Sequence, residues 1–358
     1  MPTTTILAIE TSCDETGVAV LRKEGDTITI LAQALASQVD VHALTGGVVP
    51  EVAAREHVRV IGPLIQKTLT ESGVKEPESN IDAIAVTVGP GLIPALVVGV
   101  QAARTLAFAW QKPIVPVHHI EGHIYSALLN EEGMVSGDDV PALALIVSGG
   151  HTMLILIEDH LRYDVIGQTR DDAAGEAFDK VARLLKLPYP GGPHLSKLAA
   201  TGDRAAYDFP RPMLTTKDFD FSFSGLKTAV LYTLRDTPAA PPADIAASFE
   251  QAVVDVLVAK TQRAAEQHQP KTLILAGGVA ANTQLRRQLT EMAERIGIEL
   301  RIAPPELCGD NAVMIGQVGC IAFENGRVAS WGDIDAQARV SIENFSSSST
   351  NYSLQTTN

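Results

Sequence analysis

The chain has 358 residues, with 28 Lys and Arg against 42 Asp and Glu, a formal net charge of −14. Hydrophobic residues make up 46% and charged residues 20%, a balance that supports a large core, excludes a wholly disordered, collagen-like or coiled-coil chain, and at this length suggests two domains. Its 3 cysteines (Cys13, Cys308, Cys320) form no CxxC pair, which excludes a disulfide framework and a Cys-rich zinc module and fits a reducing compartment.

In chain order, the opening MPTTTILAIETS has no basic n-region and reads as a strand, not a signal peptide. Residues 6–10 and 17–21 predict two strands around a turn at 11–16. The most apolar stretch, 92–110, contains Gln101 and Arg104, so no membrane span of about 20 residues is expected and the protein is placed in the cytoplasm. A second hairpin follows: apolar 142–147, the turn Ser148-Gly149-Gly150-His151, and apolar 152–157. A helix is predicted at 172–185. A strand at 272–276 meets Gly277-Gly278 and then a helix over 280–292, and a last helix runs from 311 to 325. The expected organisation is a first subdomain at 1–118 plus about 311–340 and a second at 119–310. The Ser/Thr/Asn-rich residues 341–358 are expected to be disordered.

Two hairpin-tipped halves and a strand, Gly-Gly, helix element resemble the actin-like ATPase (ASKHA) fold. That fold is α/β, with two duplicated subdomains around a central cleft. There the hairpins approach phosphates and the Gly-Gly turn approaches adenosine. Backbone N–H groups in glycine turns and at helix N-termini point at anions, and glycine lets the backbone come close.

The sharpest chemical signal is His118-His119-Ile120-Glu121-Gly122-His123. On a helix, His119 and His123 share one face, as metal ligands or as structural histidines at a helix start. Zinc proteases place Glu directly after the first His. Here Glu121 is two residues on, about 200° from His119 and about 160° from His123 at about 100° per residue, which argues against a protease. Asp310 at a loop-to-helix junction is either a third ligand or a helix N-cap.

Ten ordered stretches carry a family resemblance from residue 6 to about 316. They include ILAIETSCDETGVAV, GGVVPEVAAREH, VHHIEGH, IVSGGHT, DDAAGEAFDKVARLL, YPGGP, FSFSGLKTAV, LAGGVAANTQLR and CGDNAVMIG. The chain resembles the bacterial-type tRNA threonylcarbamoyladenosine synthases, formerly described as O-sialoglycoprotein endopeptidases. The resemblance implies transfer of threonylcarbamoyl from threonylcarbamoyl-AMP to N6 of adenosine 37, in tRNAs reading codons that begin with A, with release of AMP. It implies one divalent metal ion, iron or zinc, held by His119, His123 and Asp310. It implies adenylate contacts from Ile146, Val147, Ser148, Gly149, Gly150, Asp179, Gly192 and Asn282. It also implies an inactive paralogue and a small P-loop ATPase as partners.

Read as residues, Asn282 is placed to open a helix and bond the nucleotide, and Asp179 to accept from ribose hydroxyls. Otherwise Asp179 is an exposed helix position and Gly192 a loop glycine. Ser148 at its turn is a candidate for stabilising developing negative charge, and Glu15, with Asp14, for orienting the amine or binding a cation. Lys227, Arg55 and His57 are weaker candidates, and His118 reads as a neighbour of the ligand pair. Two departures stand out: Pro94 near a helix start, where Pro is tolerated, and Gly309 before Asp310, where a hydroxyl is common.

Two other functions compete: a metalloendopeptidase, which the position of Glu121 disfavours, and a non-catalytic subunit, which would be expected to lack the ligand trio. The net charge of −14 suits a polyanion partner poorly. A local basic face or partner proteins would then have to supply the phosphate contacts.

Overall fold

A computed structural model describes residues 3–128 and 139–347. The chain divides into two compact units, Met1–Asp138 with Gly309–Asn358, and Asp139–Cys308.

The first unit is a five-stranded sheet in the order β3-β2-β1-β4-β5. Its strands are β1 (Thr3–Glu10), β2 (Glu15–Glu24), β3 (Thr27–Ser37), β4 (Ala83–Gly89) and β5 (Ile114–His118). β1, β2 and β3 are antiparallel neighbours, while β4 and β5 run parallel to β1. Its helices are α1 (Val39–Ala43), α2 (Pro50–Ser72), α3 (Pro77–Asn80), α4 (Ile93–Trp110), α5 (His119–Leu128), α11 (Ala312–Glu324) and α12 (Ile342–Ser347). Its central strands are buried on both faces, so residues 6–9 of β1 read as a continuous apolar run rather than an alternation, while edge strand β3 is largely exposed. Leu7, Ile9, Val18 and Val86 pack with Ile61, Leu64, Val100 and Leu106 of α2 and α4. The other face takes α11, because glycine clears the way. A Cβ on Gly319 would lie 2.6 Å from that of Ala85, and one on Gly17 2.8 Å from the Ala312 nitrogen.

α4 is long and apolar enough by length and composition to cross a membrane. Its face of Ala95, Leu96, Gly99, Val100, Ala103 and Ala107 is instead buried. Pro94 sits in its first turn and does not disturb it.

The second unit repeats the pattern as β10-β9-β6-β7-β8. Its strands are β6 (Ala142–Val147), β7 (Thr152–Asp159), β8 (Arg162–Gln168), β9 (Thr272–Ala276) and β10 (Glu299–Ile302). Three antiparallel strands are again followed by two parallel ones. Its helices are α6 (Ala174–Leu184), α7 (Gly191–Ala199), α8 (Ser224–Asp236), α9 (Pro242–His268) and α10 (Thr283–Ile296). The duplication inferred from two hairpins is therefore a duplication of whole sheets.

Two expectations are corrected. The break falls after Asp138, not after residue 118, so the histidine helix belongs to the first unit and not the second. The reason is packing: α5 follows β5 without a gap, and Gly122 admits Met314 and Ile315 of α11, each 2.9 Å from where its Cβ would stand. Residues 341–347 are not disordered: α12 buries Ile342 and Phe345, and Phe345 joins the core of the first unit. The rest of the expected tail, 348–358, lies outside the described residues.

Candidate metal centre and nucleotide half-site

In the first unit, β5 ends at His118 and α5 begins at His119, so the strand end delivers His119 and His123 on one helical face. α11 delivers Asp310 just ahead of its first turn. The N-cap of α11 is Asn311, whose side chain accepts from the Met314 N–H at 3.0 Å, so the capping role proposed for Asp310 falls to its neighbour. Asp310 Oδ1 lies 3.3 Å from His123 Nε2 and 3.5 Å from His119 Nε2. The two rings meet edge to face, 4.7 Å apart.

The donor set fits a divalent cation. Ligand atoms about 2.1 Å from one ion stand about 3.0–3.4 Å from each other in octahedral or tetrahedral arrangement, close to the two Asp310 separations, and all three ligand atoms lie within 4.8 Å of one another. His123 is fully buried, and neither of its ring nitrogens makes a hydrogen bond among the described residues, a cost that a metal bond to Nε2 relieves. Two neutral imidazoles and a carboxylate suit iron or zinc alike.

The sequence reading missed what orients His119. Its Nδ1 stands 3.3 Å from Glu10 Oε2 and 3.1 Å from Ser12 Oγ. Glu10 is fully buried and also accepts from Thr87 Oγ1 at 2.6 Å and from the Ser12 N–H. Donation from Nδ1 to this carboxylate turns the Nε2 lone pair toward Asp310, the usual support of a metal-bound histidine. A carboxylate closing a fully apolar strand (ILAIE) was the available signal. Burial opposes a charge on His119, but Asp310 and Glu10 outweigh it and push its pKa up to about 9, so a cation binding at Nε2 would displace a proton. Glu15 is likewise pushed up to about 9, by burial first and then by the charges of Asp14 and Asp310. The charges of Glu10, Asp14 and Asp310 that cause these shifts favour a bound cation.

Glu121 turns the other way. It is fully buried and pairs with both guanidinium nitrogens of Arg327, at 2.8 and 2.9 Å. It is thereby tied to a structural partner, as the helical angle required. His57 is also structural, bonded to Thr16 Oγ1 at 2.7 Å and to the Cys13 carbonyl at 3.0 Å.

In the second unit, the remaining sequence-predicted residues gather around β6 and α7. Ile146 and Val147 are buried strand residues. Ser148 closes the hairpin: its N–H donates to the His151 carbonyl at 2.8 Å and its Oγ accepts from the His151 N–H at 3.1 Å. Gly149 and Gly150 form an exposed tip where an added Cβ would meet nothing. Gly277, at φ +93°, presses the Gly-Gly turn against the end of β6, its Cβ position 2.5 Å from the Val147 carbonyl oxygen. Asp179 Oδ1 accepts from the N–H groups of Gly191 and Gly192, at 2.8 and 3.2 Å, which joins two predicted contacts in one loop.

Asn282 caps α10, accepting from Leu285 N–H at 2.8 Å. Its amide nitrogen donates to Glu250 Oε1 at 2.7 Å and to Ser196 Oγ at 2.9 Å. Glu250 and Ser196 were not among the sequence candidates. Both amide protons are committed, which leaves Asn282 only an acceptor site for a ligand. Lys227 is half-buried on α8, and Arg55 lies at an exposed position of α2.

Two five-stranded sheets of one order, with a glycine turn closing against the second hairpin, define an actin-like α/β fold carrying a metal-type His/His/Asp cluster. The solved structure of HypF from T. kodakarensis has this fold: it matches at 15% identity and TM-score 0.62, over 92% of this chain and 48% of that one. The activator of the 2-hydroxyisocaproyl-CoA dehydratase from Clostridium difficile, with bound ADPNP, matches at 14% identity and TM-score 0.50, over 91% and 98%.

Sequence comparison gives the family. Residues 29–317 match the family model "TsaD: tRNA N6-adenosine threonylcarbamoyltransferase". Curated proteins of that name are 50% identical in Halalkalibacterium halodurans, over 95% of this chain and 96% of that one, and 50% identical in Bacillus anthracis, over 91% and 94%. The chain belongs to the tRNA N6-adenosine threonylcarbamoyltransferase family.

Proposed function

We propose that the chain transfers the threonylcarbamoyl group of threonylcarbamoyl-AMP to N6 of adenosine 37 in tRNAs that read codons beginning with A. The new bond joins N6 to the carbamoyl carbon, the bond from that carbon to the phosphate oxygen breaks, AMP leaves, and the amine gives up a proton. The adenine amine is a poor nucleophile because its lone pair is delocalised, so positioning and charge stabilisation must supply the rate. Family membership supports the reaction; the observation that carries the site is the buried His123, without a hydrogen bond of its own, facing Asp310 beside His119.

One divalent ion, iron or zinc, would be held by His119, His123 and Asp310 and would supply Lewis-acid polarisation and a template for the threonylcarbamoyl moiety. The chain's own groups take the other roles. Gly149 and Gly150 offer open N–H groups toward the donor's phosphate, and Ser148, whose Oγ accepts from His151, keeps its hydroxyl proton to donate. Asp179 and Gly192 hold the loop that meets the ribose, with Ile146 and Val147 setting the path of the strand beneath. Asn282 accepts from a donor on the nucleotide. Glu15, steadied by Ser37 Oγ at 3.0 Å, orients the incoming amine.

The partners of this reading are tRNA, an inactive paralogue and a small P-loop ATPase, all in the cytoplasm. The isolated chain, at −14, is expected to bind tRNA weakly and still more weakly as salt rises. The endopeptidase reading loses its general base, since Glu121 is committed to Arg327.

The test is transfer of labelled threonine from threonylcarbamoyl-AMP to an unmodified tRNA of this class, with cognate partners present. Label should enter the tRNA and should be lost when adenosine 37 is replaced and in His119→Ala. No label with folded, metal-loaded protein and its own partners would refute the reading.

A further inference from the structure

The back of α5, opposite the ligand pair, is held by a stretch of chain distant in sequence. Glu121 and Arg327 form a two-bond ion pair, and both are buried, at 0% and 6% exposure. Glu121 Oε2 also accepts from the His118 N–H at 3.2 Å. His118 Nδ1 accepts from the Ile120 N–H at 3.2 Å, so its Nε2 is the donor to the Val340 carbonyl at 3.0 Å. Phe345 closes the group, edge-on to His118 at 5.4 Å and beneath the Arg327 guanidinium at 5.2 Å. Farther along, Ala329 and Ile114 exchange backbone hydrogen bonds of 2.8 and 3.0 Å at the start of β5. Residues 327–345 therefore grip both ends of the strand that delivers His119.

We infer that Glu121 and Arg327, with the 327–345 strap, are positioning residues for the metal ligands on α5: they fix the rotation of the helix so that His119 and His123 meet Asp310. Neither touches the ligand trio, and Glu121 points away from it. The energetics favour so strict a device. A buried ion pair loses most when one partner is removed, because the other charge stays behind without compensation. Met314 and Ile315 leave α5 no slack on the α11 side, lying 2.9 Å from the Cβ position at Gly122. Any turn that a stranded charge forces on the helix is then transmitted to the histidines.

The inference rests on the metal reading above, so the experiment tests both separately. Zinc affinity is measured by competition with a chromophoric chelator, together with thermal unfolding, for wild type, Arg327→Met, Glu121→Gln and the double variant. Phe345→Ala is added as a milder change that leaves the ion pair in place. Gln at 121 retains an acceptor for the His118 N–H. Wild type should bind one zinc per chain. Each single variant at 121 or 327 should lose about 10–100-fold in affinity, the range seen when an outer partner of a metal ligand is lost. The double variant should recover to within about threefold of wild type, and Phe345→Ala should fall between.

Wild-type affinity in the folded single variants, with only the unfolding temperature lowered, would make the strap merely structural and overturn the inference. Failure of the double variant to recover would overturn the role of charge pairing. A wild-type protein that binds no zinc or iron would overturn the metal reading, and this inference with it.

Discussion

The first hairpin tip, between β1 and β2, and its counterpart between β6 and β7 occupy equivalent places in two sheets of the same order, yet they are furnished in opposite ways. At the first tip, Thr11 and Ser12 are buried, Thr11 Oγ1 donates to the Ala95 carbonyl, and the Ser12 carbonyl accepts from the Leu92 N–H. The tip is filled, and Ser12 Oγ reaches His119 Nδ1 at 3.1 Å. At the second, Gly149 and Gly150 stand exposed with open space where side chains would be. A filled tip can hold side-chain chemistry at fixed distances; an open one can let a ligand's backbone-sized groups approach. Two sheets of one strand order thus carry tips of opposite character.

The sharpest break in that contrast is removal of a ligand from the filled half. His123→Ala deletes a buried ligand and should abolish stoichiometric zinc or iron binding. It should lower transfer by about 10²–10³-fold, the value of several kcal/mol of charge stabilisation. Metal analysis and single-turnover transfer check both. Glu10→Gln comes next. The amide preserves shape but can no longer fix the His119 tautomer with a charge, so metal affinity should drop about 10–100-fold while the sheet remains folded. Unchanged affinity would show that Ser12 alone orients the ring.

The asymmetry explains what the sequence disclosed. The His119, His123 and Asp310 cluster was legible because it is made of side chains: two histidines four apart need only a helix to meet. Glu10 closes an apolar strand, a local hint, but its reach to His119 depends on β1 lying near β5, which no local pattern encodes. In the second half the hairpin and the Gly-Gly turn were legible from residues, but the individual candidates came from family resemblance. Their side chains meet distant or turn backbone N–H groups, as Ser148 Oγ does with His151 and Asp179 Oδ1 with Gly191 and Gly192. The domain boundary was misplaced for a similar reason: α5 is claimed by the first unit through the missing Cβ of Gly122, a long-range fit to α11. The tail was misread because composition outvoted two apolar anchors, Ile342 and Phe345.

A pair of methyl insertions sharpens the comparison further. A Cβ at Gly91 would lie 2.5 Å from the Ser12 carbonyl oxygen and 2.9 Å from its Cβ, against backbone that cannot yield cheaply. Gly91→Ala should therefore cost about 1–3 kcal/mol, the usual penalty for overpacking, read as a lower denaturation midpoint. Gly149→Ala meets nothing within 4 Å and should leave that midpoint unchanged while weakening donor binding, because the methyl occupies the space the ligand needs. Equal destabilisation by the two would erase the distinction between filled and open tips.

The smallest effect lies in the scaffold of the open half. Asp171 holds the FSFSG segment at the start of α8. Its carboxylate accepts from Ser222 Oγ at 2.5 Å, Ser224 Oγ at 2.6 Å and the Phe223 N–H at 2.8 Å. Burial pushes its titration upward, but the Ser222 and Ser224 hydrogen bonds and those from the backbone outweigh it and hold the group below its ordinary value. A carboxyl that titrates lower in the folded than in the unfolded protein adds stability above the unfolded value, about 3.9, and that stability disappears as pH falls through the folded one. Asp171→Asn should thus cost about 1 kcal/mol at pH 7, the scale of a lost helix cap. The gap from wild type should close as pH is lowered below about 4. Denaturation midpoints across that range decide it: a gap that stays constant down to the lowest pH would mean that shape, not charge, joins this loop to α8.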